Sequence, residues 1–272
     1  MTELEEKRKR LHSLLREAGS AAIAFSGGVD STYLLKEAHD VLGERAIAYT
    51  AGSVFFPAWE NSEAAAFCKD EGIVQKKLVF DVLAQPGVAE NPSNRCYLCK
   101  HALFTELKKQ AEADGFACVM EGTNLDDLGD YRPGLVALKE LGIRSPLKEA
   151  GMTKQDIRDL SKQLNLPTWD KPSFACLASR ISYGEEITEE KLKRVEAAER
   201  FLLNHGFRQV RVRVHGSLAR IEVLPEDLVR FGNEILRRDV VEALKEAGFV
   251  YVTLDLEGFH SGSMNRMLEQ KK

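Results

Sequence analysis

The stretch AAIAFSGGVDSTYLL, residues 21–35, limits what this chain can fold into more than any other. Five apolar residues in a row read as a strand buried on both faces, because a strand with one wet face would alternate. Two glycines then interrupt, and from Asp30 the apolar residues recur at helical spacing. A strand that passes through glycine into a helix is half of a crossover unit, so a parallel sheet is expected. Glycine there permits positive φ and close approach of backbone to a ligand. The helix start leaves unpaired N–H groups and a partial positive charge. Ser26, Ser31 and Thr32 add hydroxyls, and the whole is an anion cradle suited to phosphate. Neither G-K-[ST] nor G-x-G-x-x-G is present. A tight strand-to-helix turn, capped by Ser26 or Asp30, is the plainer alternative.

The same rhythm continues along the chain. Strands are expected over 46–49, 74–80 and 117–120, and helices over 58–70, 96–113 and 153–164, the last opened by Thr153 with Asp156 as its capping acid. After Pro172 the pattern changes. A long helix is expected over 188–205, then two alternating strands over 209–214 and 219–224 joined through HGS, a helix over 232–247 and a strand over 250–254. Pro167 and Pro172 interrupt regular structure, which places a boundary at 166–173. The expected fold is therefore α/β over 1–170, a parallel sheet flanked by helices, with a smaller α+β domain over 171–272. In parallel sheets ligands bind beyond the carboxyl ends of the strands. The stretch EGTNLDDLGDYRPG, residues 121–134, follows an expected strand and belongs at the same end as the glycine loop. Asp126, Asp127 and Asp130 are candidates to assist magnesium or to orient Arg132, with a solvated turn as the alternative.

Composition serves to exclude partners. The net charge of −4 lacks the basic excess of a dedicated nucleic-acid binder. No stretch approaches the roughly 20 apolar residues that span a bilayer. The N-terminal MTELEEKRKRLHSLLREAG is a charged amphipathic helix rather than a signal peptide. A cytoplasmic chain with no membrane and no nucleic-acid partner is expected. Five cysteines, an odd count, argue against a disulfide framework. Cys68 and Cys118 lie in helical and strand-like runs and read as small buried hydrophobes. Cys96 and Cys99 form the CxxC of NRCYLCK, open to reading as a redox pair, half a zinc site or a coincidence. Cys176, in SFACLASR, is the third cysteine in a polar setting. Three thiolates from two distant segments would also suit a four-iron cluster whose fourth iron stays open to a ligand such as sulfide.

The string SGGVDS resembles the SGGxDS motif of the PP-loop ATP pyrophosphatases. That resemblance implies a pyrophosphate site lined by Ser26, Gly27, Gly28, Asp30 and Ser31, with Mg²⁺ at the phosphates of ATP. EGTN…DYRPG looks like the loop that superfamily places beside ATP, and singles out Gly122, Asp130 and Arg132. Together with PSFACLASRISYGEEIT, QVRVRV, ARIE and TLDLEGFHSG, the match runs from about residue 10 to 265. On these motifs the chain is identified as a member of the LarE family, ATP-dependent sulfur transferases that build the nickel-pincer nucleotide of lactate racemase.

The resemblance implies an activity. Both carboxylates of a pyridinium-3,5-biscarboxylic acid mononucleotide are adenylylated and converted to thiocarboxylates, with release of AMP and pyrophosphate. Single-cysteine members, matching Cys176, sacrifice that sulfur. Three-cysteine members resemble this chain and imply a [4Fe-4S] cluster on Cys96, Cys99 and Cys176, with Asp30 and these thiols as the catalytic groups and sulfide or another donor as the sulfur source. Ser179, Arg180, Arg211 and Arg213 are expected at the substrate's phosphate and carboxylates, which arginine forks suit. Glu199 and Glu222 match family positions near substrate or a metal. For the strand arginines the alternative is a solvated face, and for the glutamates a surface salt bridge. A homo-oligomer is expected from the family. Sacrificial transfer from Cys176 and tRNA thiolation are the rival activities. An amide-forming ligase would lack room for an ammonia-delivering domain, and a nucleotide-binding module would hold ATP without releasing AMP.

Overall fold

Short apolar runs too small to fill a core alone become the middle of a parallel sheet. The computed structural model describes residues 2–129, 133–172, 175–260 and 262–263. The chain divides into one unit of Met1–Gln85 with Cys96–Phe174, and a second of Pro86–Arg95 with Ala175–Lys272.

In chain order the first unit holds α1 (Glu3–Ala18), β1 (Ala21–Ala24), α2 (Val29–Leu42), β2 (Ala46–Gly52), α3 (Ala58–Asp70) and β3 (Gln75–Val79). It continues with α4 (Arg95–Ala113), whose first residue belongs to the second unit, then β4 (Val119–Met120), α5 (Pro133–Glu140), α6 (Pro146–Glu149) and α7 (Lys154–Gln163). The strand order is β3-β2-β1-β4, all parallel. β1 is central: Ala21–Ala24 pairs with β2, and Ala22 and Ile23 pair with Val119 and Met120 of β4. Ala21, Ala22 and Ile23 are wholly buried, as the unbroken apolar run requires. Small side chains there let the helices pack closely. Leu11 and Leu15 of α1, Leu34, Leu35 and Ala38 of α2, and Ile157 and Leu160 of α7 close over the sheet in one core. Successive strands step outward from β1 to β3, and β4 then returns to the other side of β1. Strand order therefore reverses between β1 and β4, and a parallel sheet opens its crevice at such a point.

The second unit holds a 3-10 turn (Leu177–Arg180), α8 (Glu189–Asn204), β5 (Val210–His215), β6 (Leu218–Val223), α9 (Glu234–Glu246) and β7 (Tyr251–Leu254). β5 and β6 form an antiparallel hairpin through Gly216 (φ 58°), and β7 adds parallel to β6. α8 lies against β5. The segment 86–95 is stitched into this unit by Asn91, which is fully buried at φ 54°. Its side-chain amide donates to the carbonyls of Ile181 (3.2 Å), Ser182 (2.8 Å) and Glu185 (3.1 Å). Arg95 Nη1 donates to Asn91 Oδ1 at 2.6 Å and to the Ala178 carbonyl at 2.9 Å. Sequence patterning places one boundary at 166–173. The chain passes between the two units at 85/86, 95/96 and 174/175, and no shift in composition marks the first two.

One expectation changes. The alternation of QVRVRV suggested a half-exposed strand, whereas Val210 to Val214 are buried throughout, Arg211 and Arg213 at 4% exposure each. The buried Glu222 carboxylate neutralises the second of these, as described below. Among the described residues no helix is long and apolar enough to cross a membrane.

Candidate functional site

The glycine loop is built as its residues dictate. Gly27 sits at φ 72°, where a side chain is strained, and a Cβ there would come within 3.2 Å of Ala64 Cβ. Gly28 then caps α2 with extended backbone and no side-chain hydrogen bond. By contrast α1, α7, α8 and α9 are capped by the side chains of Thr2, Thr153, Thr188 and Asn233. The start of α2 thus lacks the acceptor a capping side chain would offer its first-turn amides, which favours an anion there. Ser26 and Ser31 face one another with hydroxyl oxygens 3.1 Å apart, the Ser26 amide donates to Ser31 Oγ at 3.3 Å, and the Ser31 hydroxyl donates to the Gly28 carbonyl at 3.2 Å. Lys171 Nζ donates to the Gly27 carbonyl at 3.1 Å and to Glu63 Oε2 at 2.8 Å.

The loop after β4 meets the same helix start. A Cβ on Gly122 would lie 3.0 Å from the Ser31 nitrogen and 3.1 Å from Asp30 Cβ, so only glycine lets the two loops approach this closely. Asp30 Oδ1 accepts from Asn124 Nδ2 at 3.3 Å, and Oδ2 accepts from Lys154 Nζ at 2.5 Å. Burial pushes the Asp30 carboxyl above its usual range, and the Lys154 ammonium opposes that. Asp127 and Asp126 shape the loop: they accept from the Asn124 amide at 3.0 Å and the Lys154 amide at 2.8 Å. Asp130 and Arg132 lie outside the described residues.

Cys96 and Cys99 occupy the first turn of α4 three residues apart, which puts them on one helix face. α5 begins beside them: a Cβ on Gly134 would meet Lys100 Cδ at 2.7 Å and the Cys96 carbonyl at 3.4 Å. Cys176 precedes the 3-10 turn of the second unit. None of the five cysteines is in a disulfide. Burial pushes the Cys68 thiol up to about 11 and raises Cys118 too, as befits small core residues.

In the second unit the expected cations and carboxylates converge. Arg180 Nε and Nη2 each donate to Glu199 at 2.8 Å, a two-pronged pair almost without solvent. Arg180 Nη1 also donates to Ser179 Oγ at 3.0 Å. Arg213 forks onto Glu222 at 3.0 and 2.8 Å and donates to the Ser179 carbonyl at 2.9 Å. Arg220 donates to Glu222 at 3.0 Å. Arg211 donates to the Val210 carbonyl at 2.7 Å and lies 5.2 Å from the Phe259 ring centroid. Burial, then the nearby Arg180 charge, push the Arg211 guanidinium down to about 9. These glutamates form buried ion pairs rather than surface ones. Burial opposes ionisation of Glu199, but the Arg180 charge prevails and holds its carboxyl below the usual range.

No protein-family model matches the chain. An uncharacterized protein of Synechocystis sp. is 47% identical over 265 residues, covering 97% of this chain and 99% of the relative. An uncharacterized protein of Methanocaldococcus jannaschii is 34% identical, covering 88% and 90%. The pyridinium-3,5-bisthiocarboxylic acid mononucleotide synthase of Lactiplantibacillus plantarum is 39% identical over 270 residues, covering 98% of this chain and 97% of that enzyme. The chain belongs to the LarE family. It is an enzyme, of a sulfur-transferring kind, and its parallel sheet with a smaller C-terminal mixed sheet is the PP-loop α/β fold expected of LarE.

LarE membership raises the question of what the side chains suit. Magnesium binds through one or two carboxylates plus substrate phosphates, and Asp30 at the uncapped helix start fits that part. Three thiols are, in kind, the donor set of an iron–sulfur cluster. Among the described residues, no three His, Cys, Asp or Glu side chains gather closely enough to hold a metal ion. Sequence reading of this LarE chain missed Asn124, Lys154 and Lys171, which touch Asp30 or the glycine loop. The helical cap at Thr153 marked where α7 starts, but nothing marked where its lysine would point.

Proposed function

We propose that this chain uses ATP to adenylylate the carboxylates of a pyridinium-3,5-biscarboxylic acid mononucleotide and converts them to thiocarboxylates, releasing AMP and pyrophosphate. The observation that carries the reading is the start of α2, without a side-chain cap and framed by Gly122, at the reversal of strand order. The name of the L. plantarum relative supports the product class.

Ser26, Gly27, Gly28 and Ser31 bind the pyrophosphate, with amides and hydroxyls directed at the helix start. Asp30 would hold Mg²⁺, which when bound with the phosphates supplies charge to offset theirs. Gly122 keeps the second loop against them, and Asp130 and Arg132 in that loop contact the nucleotide. A carboxylate oxygen is a poor leaving group and an adenylate a good one, so the chain need only position the groups and offset charge. The arginines of the second unit bind the substrate's anions. Ser179, Arg180 and Arg213 are already fixed by hydrogen bonds, with Glu199 and Glu222 holding the guanidinium forks in place. Arg211 adds a buried cation whose lowered value an added anion would reverse. Cys96, Cys99 and Cys176 would hold a [4Fe-4S] cluster, which when bound supplies an iron able to take hydrosulfide. Within the second unit Arg95 binds the Ala178 carbonyl. The enzyme works in the cytoplasm as a homo-oligomer on a small molecule, with sulfide or a sulfur donor and without nucleic acid.

The test is turnover with ATP, sulfide and the biscarboxylic mononucleotide, followed by mass spectrometry of small molecules and intact protein. Thiocarboxylate product with AMP and an unchanged protein mass is expected. A protein lighter by one H₂S would assign the sulfur to Cys176 itself, and absence of AMP would overturn the ATP chemistry.

A further inference from the structure

Lys154 is the first residue of α7, and its ammonium lies 2.5 Å from Asp30 Oδ2. Its backbone is held firmly. The Lys154 amide donates to Asp126 at 2.8 Å, and Thr153 and Asp156 close a capping box around it. Its side chain, 27% exposed, remains on the solvent side. The root of this lysine is therefore fixed through its backbone, and its partly exposed tip is held by the Asp30 carboxylate. Asp30 is the carboxylate beside the helix start, and Asn124 Nδ2 donates to its other oxygen, Oδ1, at 3.3 Å.

A divalent cation seated on Asp30 would compete with the Lys154 ammonium for one carboxylate charge. Magnesium–oxygen distances are about 2.0–2.1 Å, so metal and ammonium on one carboxylate would stand close together and repel strongly. A lysine is well made to yield: it is a compact charge with three rotatable donors on a flexible four-carbon stem. We propose that Lys154 and the nucleotide-bound divalent cation exchange places on Asp30. Lys154 neutralises the carboxylate before nucleotide arrives, then turns its ammonium to a phosphate oxygen at the same helix start. This rests on the reading of the glycine loop as an ATP site. Lys154 is thereby a nucleotide-binding residue as well as a counter-ion.

The experiment uses Mn²⁺ as the metal and α,β-methylene ATP as a nucleotide that cannot be cleaved between its first two phosphates. The electron-spin-resonance signal of free Mn²⁺ reports binding to the full chain, and calorimetry reports binding of the Mn²⁺–nucleotide complex. In Lys154→Met, Mn²⁺ alone should bind about tenfold more tightly, and the Mn²⁺–nucleotide complex about tenfold more weakly, the worth of one charge-assisted hydrogen bond. A merely structural lysine would not move the two affinities in opposite directions. If Mn²⁺ alone binds the variant no better, the exchange is overturned. An unchanged nucleotide affinity overturns the phosphate contact. Should Lys154→Met not fold, Lys154→Gln carries the same expectations. Wild-type chain that fails to bind the complex at all would instead overturn the ATP reading of the loop.

Discussion

Asp30 shows how one residue joins charge, burial and ligand. Its carboxylate sits at a helix start that favours negative charge, against a lysine, and partly out of water. Asp30→Asn should cut pyrophosphate release by about 10²-fold, in line with losing one group that offsets developing charge. The pair it breaks is partly exposed, so its loss should change stability by about 1 kcal/mol or less. A steady-state pyrophosphate assay beside a thermal melt separates the two effects. The sign of the pH dependence follows from the raised carboxyl. A cation needs the ionised form, so Mn²⁺ affinity should fall on acidification at a pH above the ordinary aspartate value of 3.8. An acid limb at or below that value would contradict the burial argument. The glycines and serines of this loop were legible in the sequence because their backbone demands are local: Gly27 needs its positive φ whatever surrounds it. Lys154 was not, since it lies 124 positions from Asp30 and nothing in helical periodicity links the two.

At the level of elements, β5 misleads and the glycine-framed loops do not. Alternating valine and arginine ordinarily means one wet face, yet β5 is covered on both. The pattern fails because Glu199 and Glu222 come from α8 and β6 to meet Arg180 and Arg213 inside the unit. Breaking a buried pair leaves a charge without its counter-charge, at a cost of about 3–5 kcal/mol. Glu199→Gln should therefore lower stability by that amount in denaturant titration, more than Glu196→Gln on the same helix. Because the folded Glu199 carboxyl is held below its usual 4.5, its contribution is present above that value and is lost as pH falls through the folded one. Melting temperature of wild type should drop across that acid window, and that of Glu199→Gln less so. For the loop after β4, Gly122→Ala would press a methyl group onto the Ser31 amide. Overpacking of this kind costs about 1–3 kcal/mol, and the shift it forces should also weaken nucleotide binding. Tight binding of α,β-methylene ATP by that variant would show the loops are not held together by this contact.

Taken whole, the chain is two folding units sharing one thread. The strand–helix alternation made the strands and helices of the first unit legible. The excursion of 86–95 was hidden, because its evidence is three carbonyls gathered on the amide of Asn91 from residues about 90 positions away. Asn91→Ala would leave those acceptors and the Arg95 guanidinium short of a partner, a loss of about 2–4 kcal/mol by the cost of unmade buried hydrogen bonds. Hydrogen exchange should show the amides of 184 and 187 losing protection while those of β1 and β2 keep theirs. Equal loss in both units would mean they unfold as one. The shared thread also sets an order of events on the ribosome. By the time residue 174 has been made, the first unit has every strand of its sheet and can close with 86–95 left as a loop. That loop must then wait until residues 178–187 emerge to meet Asn91 and Arg95, so a segment made early is completed only by one made about 90 residues later.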